Sequence, residues 1–524
     1  MSACGGGGGA TVFVPVSAPA SGPVLGASPA QDVAVAIPPG QVDAAIAKLD
    51  DLAADIMHRS NIPGMAVAVV KDGKTVYAKG FGVRRMGSSE AVDADTVFQL
   101  ASMSKPIGAT VVAGLVSNDT VSWNTPVATL LPGFKLSDDW ASQQVTIGDL
   151  YAHRSGLPEH AGDRLEDLGY DRRQVIERLR HVPLDGFRIK YAYTNFGLTA
   201  GAEAAATAAG QDWAALSERI LYRPLGMTAT SSRFADYMQR GNRTYPHVKQ
   251  DGRYQALYQR EPDAQSPAGG VSSSVNDLAH WMSLVLQDGS YQGLPVLKAE
   301  ALLPAISAQI VNAPADSATA RAGFYGYGFN VGTSSSGRVK LSHSGAFLLG
   351  AGTAFSMIPS AGVAIVTLTN ASPVGAAEAL NASFDDLVEF GKPTRDWYAA
   401  YSERMASLFA LDGSLAGQPA PTQPAPALGN GAYTGRYAND YYGDAVVEVS
   451  GGGLLLRMGP TGTKIYALRH WSGNTFVFDL SGENAEPGSL SRIDFRPGAP
   501  GVSQSLQIEY YAEDVARGVF TLKP

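Results

Sequence analysis

One stretch limits what this chain can be: Phe98-Gln-Leu-Ala-Ser102-Met-Ser-Lys105-Pro106. A strand-like run, Thr96-Val-Phe-Gln-Leu, leads into it, and an apolar run from Ile107 to Leu115 leads out as a helix. A helix that starts at Ser102 puts Lys105 one turn along the same face. A hydroxyl and an amine then stand side by side where the first-turn amides lack intrahelical partners and the dipole is positive. Such a place suits a serine nucleophile whose acyl intermediate develops an oxyanion. Pro106 fits as well, because an amide in the first turn has no carbonyl to bond. Roughly one Ser-x-x-Lys is expected by accident in a chain with this much serine. Ser102-x-x-Lys105 is the only one present, so its meaning depends on what accompanies it.

The 524 residues are enough for two or three domains and a large core. A hydrophobic share of 45% with 17% charged residues is that of an ordinary globular protein. The net charge of −8, without a Lys/Arg cluster, argues against nucleic acid as a partner. No apolar run approaches membrane-spanning length. Cys4 is the single cysteine, so no intrachain disulfide forms. Ser-Ala-Cys4 followed by a glycine tract resembles the start of a mature bacterial lipoprotein, with Cys4 as lipid anchor and a periplasmic or cell-envelope location. The alternative is a flexible tail with a chance cysteine, and a cytoplasmic protein if that N-terminus is native. There is no His-Glu-x-x-His, no Cys/His cluster and no P-loop, so neither metal nor cofactor chemistry is signalled. Gly-x-Ser-x-Gly is absent too, which removes an α/β-hydrolase elbow as the basis of function.

In chain order, residues 1–40 are rich in Gly, Ala and Pro and read as a flexible tail. Apolar residues at three- and four-residue steps predict one helix from about Val42 to His58. Met65–Val70 and Thr75–Ala78 bracket Asp72-Gly73, a hairpin signal. Further helices are expected near 145–153, 171–180, 198–209, 213–221 and 275–286. Strands are expected at Tyr325–Val331, Val339–His343, Thr353–Ile358 and Val363–Thr369, then helix from Ala376 to Met405. This order gives an α+β fold for residues 41–411, helices packed on an antiparallel sheet with an α-helical subdomain. Residues 412–430 hold four prolines and read as an extended linker. Residues 431–524 carry eight short strand-like runs and read as a small all-β barrel or sandwich.

Three motifs in order, Ser102-x-x-Lys105, Tyr193-x-Asn195 and His343-x-Gly345, resemble the signature of the serine β-lactamase-like superfamily. The branch of class C β-lactamases, D-peptidases and family VIII esterases is the most similar. His153-Arg-Ser-Gly-Leu157, Pro224-Leu-Gly-Met227 and Ala268-Gly-Gly270 add to the likeness, which runs over about residues 42–400. The C-terminal region resembles the lipocalin-like domain often appended to such enzymes. Tyr437-Ala-Asn439 and His160-Ala-Gly162 have the right letters in the wrong order and are set aside. A lysine at its ordinary pKa is protonated at neutral pH, so Lys105 as base for the nucleophile Ser102 needs burial or a positive dipole to lower it, and an ammonium nearby would help the Tyr193 phenol ionise and share the role. The resemblance implies Tyr193 as general base or proton shuttle with Lys105. It implies Asn195, His343 and Gly345 in substrate binding, and backbone N–H groups of Ser102 and Ala346 as oxyanion hole. Taken singly, Tyr193 reads as a loop aromatic packed on the core, and His343 as a strand residue with satisfied hydrogen bonds.

The third motif departs from the family. Lys-Thr-Gly is usual, and that lysine holds a substrate carboxylate; here the residues are His343-Ser344-Gly345. A histidine is mostly neutral at pH 7 and reaches less far. The expectation is therefore a serine hydrolase acting through an acyl-enzyme on an ester, or on an amide of a peptide with D- or non-standard residues. A β-lactamase or DD-carboxypeptidase is the near alternative, and a catalytically silent envelope binding protein the distant one. Its partner is a small-molecule or peptide substrate, and the C-terminal domain is a candidate for oligomerisation.

Overall fold

The computed structural model describes residues 35–498, 502–512 and 517–524; Cys4 and most of the N-terminal tail lie outside them. Eight strands form one antiparallel sheet: β1 (Gly64–Lys71), β2 (Lys74–Gly82), β3 (Ile310–Ala313), β4 (Gly323–Tyr325), β5 (Asn330–Thr333), β6 (Val339–Phe347), β7 (Ala351–Ile358) and β8 (Val363–Thr369). Their order is β2-β1-β8-β7-β6-β5-β4-β3. The β1–β2 hairpin closes through Asp72 (φ 50°) and Gly73 (φ 72°), the left-handed pair that Asp-Gly favours.

Successive side chains of a strand point to opposite faces, and β1 shows this directly. Met65, Val67 and Val69 pack with helices Leu49–Ser60 and Ala376–Phe390. Ala66, Ala68 and Val70 face the other way, toward helices Ser104–Ser117 and Val275–Leu286. Helices thus cover both faces of the sheet's centre, and every residue of β7 and β8 is buried.

Three predicted elements are broken. The first helix is two, Gln41–Ile46 and Leu49–Ser60, and the sequence holds no breaker between them. Tyr325–Val331 is not one strand: Gly326 and Phe329 close a turn between β4 and β5. There Gly328 (φ 78°) lies against helix Ser104–Ser117, and a Cβ would fall 2.7 Å from the Lys105 carbonyl oxygen. The long C-terminal helix ends at Phe390, because Gly391 takes the left-handed cap (φ 72°) and Pro393 follows; a second helix spans Trp397–Met405.

The eight strands from Gly435–Asn439 to Val519–Leu522 run in sequence order around a closed barrel, which the pairing of Tyr437 with Leu522 seals. Its interior is packed with Tyr433, Tyr437, Tyr442, Phe476, Phe495 and Phe520, a filled core. The Pro-rich segment before it is not a free extended tether. Asp412 exchanges bonds with the Ser489 side chain and the Leu490 amide, and the Ala425 carbonyl accepts from Gly473. The barrel seats against the first domain: Tyr441 Oη accepts from the Gly162 amide, and Tyr170 Oη donates to the Tyr442 carbonyl. Among the described residues no helix is long and apolar enough to cross a membrane.

Strand β6 pairs with β5 only as far as Ser342. Beyond it, the turn Ala101–Met103 takes the neighbouring place, and the fit is close. A Cβ on Gly345 would lie 2.1 Å from the Leu100 carbonyl oxygen and 2.4 Å from Thr353 Oγ1. Gly345→Ala is therefore expected to lower stability by about 1–3 kcal/mol, the range for overpacking. Gly332→Ala, whose Cβ meets nothing within 4 Å, is expected to leave the melting temperature near that of the parent. Thermal denaturation of the two variants checks this.

Candidate active site

The chain enters the turn through Ala101, a non-glycine residue in the left-handed region (φ 48°). A 3-10 turn, Ala101–Met103, comes first, and the α-helix begins at Ser104 rather than at Ser102. The 3-10 turn keeps Ser102 and Lys105 adjacent, with Lys105 Nζ 3.0 Å from Ser102 Oγ. Ser104 is buried and its Oγ accepts from the Val271 amide, so the hydroxyl that reaches the cleft is Ser102.

Lys105 is fully buried. Its Nζ also contacts Asn195 Oδ1 (2.7 Å) and the Ala268 carbonyl (3.0 Å), and lies 4.5 Å above the Tyr193 ring. Both oxygens can only accept. An uncharged amine that donates to each has its lone pair left for the Ser102 hydroxyl. Burial lowers the lysine's pKa to about 7, against a smaller opposing pull from Asp163. Neutral pH therefore leaves a substantial fraction of it unprotonated.

Tyr193 Oη donates to Ser102 Oγ at 2.7 Å. Burial raises its pKa well above the usual phenol value, with the Ser102 bond pulling weakly the other way. The expectation that the ammonium helps this phenol ionise is thus reversed: Tyr193 stays protonated, because removing both groups from water disfavours each one's charged form. Its loop is anchored on His153 (φ 55°), whose carbonyl accepts from Ala192 and whose Nδ1 accepts from the Thr194 amide. Burial holds His153 far below the ordinary imidazole range, so its ring is neutral.

Asn195 opens helix Asn195–Ala208. Its Oδ1 accepts from Lys105 and its Nδ2 donates to Asp163 Oδ2 at 2.9 Å, so the amide is held from both ends within the protein. His343 is 5% exposed. Its Nδ1 lies 2.6 Å from the Ser344 carbonyl, which can only accept, so Nδ1 carries the hydrogen and Nε2 accepts from Tyr325 Oη at 2.9 Å. Burial, helped by the nearby Lys105, lowers its pKa to about 3. Both ring nitrogens are thereby used inside the protein, and the expected grip of this side chain on substrate is replaced by a neutral wall. Gly345 is likewise buried and serves close backbone approach. Ala346 is exposed, and with Ser102 it lines the cleft.

That cleft holds about 500 Å³. A larger cavity, about 860 Å³, lies beside Phe134, Tyr170 and Ile176, but no serine or lysine lines it among the described residues. Sequence order alone missed several cleft residues. His160 belongs to the His-x-Gly set aside for its position. Glu483 and Asn484 come from a barrel loop, and Glu378 from helix Ala376–Phe390. The Glu483 carboxyl accepts from the Leu348 (2.9 Å) and Leu349 (3.3 Å) amides, and burial raises its pKa to about 8. Burial also raises that of Glu378. Arg260 is neutralised by Glu166 at 2.6 Å and lies over the Phe347 ring.

A family model described as beta-lactamase matches residues 49–389, and one described as a domain of unknown function matches 419–517. The chain is 27% identical over 488 residues to the unguisins hydrolase of Aspergillus violaceofuscus, covering 85% of each. It is 30% identical over 323 residues to penicillin-binding protein 4 of Amycolatopsis lactamdurans, covering 59% of this chain and 81% of that one. It is 26% identical over 255 residues to a D-alanyl-D-alanine-carboxypeptidase/endopeptidase of Escherichia coli, covering 47% and 63%. Among solved structures, the octameric penicillin-binding protein homologue from Pyrococcus abyssi has the same fold, with a TM-score of 0.59 at 18% identity over 88% of this chain and 98% of that one. The fold, the ordered motifs and the family match agree: this chain belongs to the beta-lactamase-like family of serine hydrolases.

Proposed function

We propose that this protein hydrolyses an ester or an amide bond through an acyl-enzyme on Ser102, with small esters and peptides bearing D- or non-standard residues as its substrate class. The observation that carries the reading is Ser102 Oγ placed between a buried lysine at 3.0 Å and a protonated tyrosine at 2.7 Å. Lys105, as free amine, takes the Ser102 proton while Oγ attacks the carbonyl carbon. The Ser102 and Ala346 amides receive the oxyanion; losing one such donor typically costs about 3 kcal/mol of barrier. Tyr193 gives its hydroxyl proton to the leaving oxygen or nitrogen and regains one from the Lys105 ammonium. Water then attacks the acyl-enzyme by the reverse route.

The charges of the cleft support the substrate class. A carboxylate-bearing substrate needs a cation, but His343 is neutral with both nitrogens engaged, and Arg260 is paired with Glu166. Glu378 and Glu483 also line the cleft, but burial raises both carboxyls toward their neutral form, and neither supplies a cation. This favours esters and amides without a carboxylate beside the scissile bond over β-lactams and C-terminal D-alanyl residues. The name of the Escherichia coli relative pairs a D-alanyl-D-alanine-carboxypeptidase with an endopeptidase, and its endopeptidase part is in line with D-peptides cleaved away from a terminal carboxylate.

Ser102→Ala is expected to abolish both turnover of p-nitrophenyl acetate and labelling by a fluorophosphonate; a label found on another serine by mass spectrometry overturns the assignment. Lys105→Ala and Tyr193→Phe are each expected to lower kcat by at least about 10²-fold, the scale of general acid–base help.

The active form has Lys105 unprotonated, so kcat/KM should rise with pH through about 7 and then level off. A profile that keeps rising to the ordinary lysine range would show that the amine is not desolvated. For benzylpenicillin, kcat/KM is expected to stay below about 10⁴ M⁻¹s⁻¹, the low end for efficient enzymes; efficient turnover would refute the reading of His343.

A further inference from the structure

Lys105 is held from one side by Asn195, and Asn195 is itself held. Its Nδ2 donates to Asp163 Oδ2 at 2.9 Å, and the same oxygen lies 2.9 Å from His160 Nδ1. A carboxylate accepts only, so His160 Nδ1 carries the hydrogen, and the Asn195 amide cannot flip without setting its oxygen against Asp163. Asp163 is 5% exposed, and its Oδ1 is buried with no hydrogen-bond partner among the described residues. The His160 side chain, 58% exposed, stands in the cleft wall.

The turn that carries both residues is strained and clamped. His160 is left-handed (φ 59°), a conformation costing a non-glycine residue about 1–2 kcal/mol. Gly162 is left-handed as well (φ 101°). The His160 amide donates to the Tyr193 carbonyl, and the Gly162 amide donates to Tyr441 Oη of the barrel. Such strain persists where the surroundings over-determine it, most often at functional sites. A carboxylate serving only this turn would bond its backbone; the recorded partners of Asp163 are instead the His160 ring and Asn195.

We propose that His160 and Asp163 are positioning residues for the base Lys105: Asp163 fixes the Asn195 amide that faces the lysine and supplies a negative charge to it, and His160 adjusts that charge. The proposal rests on the reading of Lys105 as base. The titratable groups facing the lysine are Asp163, His153, His160, His343 and Tyr193, and Glu159 faces His160 from its own turn. His153 and His343 are neutral by burial and Tyr193 stays protonated, which leaves Asp163 and His160 to set the local charge. With His160 protonated, the pair is close to neutral and Lys105 gives up its proton readily. With His160 neutral, Asp163 is uncompensated and the lysine holds its proton to higher pH. The two titrations are therefore coupled, and the hydrogen bond to Asp163 raises the histidine's own pKa.

The test is the acid limb of kcat/KM for p-nitrophenyl acetate. Asp163→Asn removes the anion, and the limb should move down by about half a pH unit or more. His160→Asn keeps a donor toward Asp163, suits the left-handed backbone and removes the cation; its limb should move up. A purely structural role would lower kcat in both and leave the limb in place, and that result overturns the proposal, as does a shift of both in one direction. Should the variants fail to fold by circular dichroism, the unaltered protein decides. The ring resonances of His160 should titrate in two steps, one at the pH of the activity limb, and a single step overturns the coupling. Absence of any limb near neutrality in the parent, or full activity in Lys105→Ala, would instead defeat the reading of Lys105 as base.

Discussion

Everything at this site follows from the burial of one amine. A lysine in water is charged at neutral pH and cannot take a proton from a serine. With no exposed surface, Lys105 loses the hydration that favours its ammonium, and its pKa falls to about 7. The same desolvation pushes Tyr193 the other way, since its charged form is the anion. One physical cause thus moves two groups of similar ordinary pKa in opposite directions, each within hydrogen-bond distance of Ser102, as the proposed base and acid require. Helix Ser104–Ser117, buried along nearly its whole length, is what makes that desolvation possible.

Holding the pair in register takes local strain. Ala101, His153 and His160 are all left-handed non-glycine residues, and each stands next to a group at the centre: Ala101 before Ser102, His153 behind Tyr193, His160 against Asp163. Backbone in that region is unfavourable for these residues unless packing and hydrogen bonds impose it. Glycine serves the opposite purpose at Gly345 and Gly328, where the absence of a Cβ lets a strand and a turn approach the Ser102 turn and the Lys105 helix.

The barrel belongs to this arrangement. Tyr441 holds the turn of His160, and Glu483 caps the amides that follow β6. Both act on backbone groups rather than on Ser102. A filled aromatic interior leaves the barrel its outer loops for contact with the cleft.

The sequence by itself determined the α+β class, the β1–β2 hairpin and the eight strand-like runs of the barrel, and it pointed to Ser102, Lys105 and Tyr193 as neighbours in one cleft. Those features rest on local periodicity, on turn chemistry at Asp72-Gly73, and on short motifs whose spacing survives folding. Only the tertiary structure decided what the other residues do. Asn195 proved to be bound at both ends, His343 to be sealed by Tyr325 and the Ser344 carbonyl, and His160, out of order in the chain, to stand beside Asp163 in the cleft. The direction in which Tyr193 titrates was equally hidden. Burial, hydrogen-bond partners and charge at a site are set by residues far away in the chain, and spacing along the chain carries no record of them.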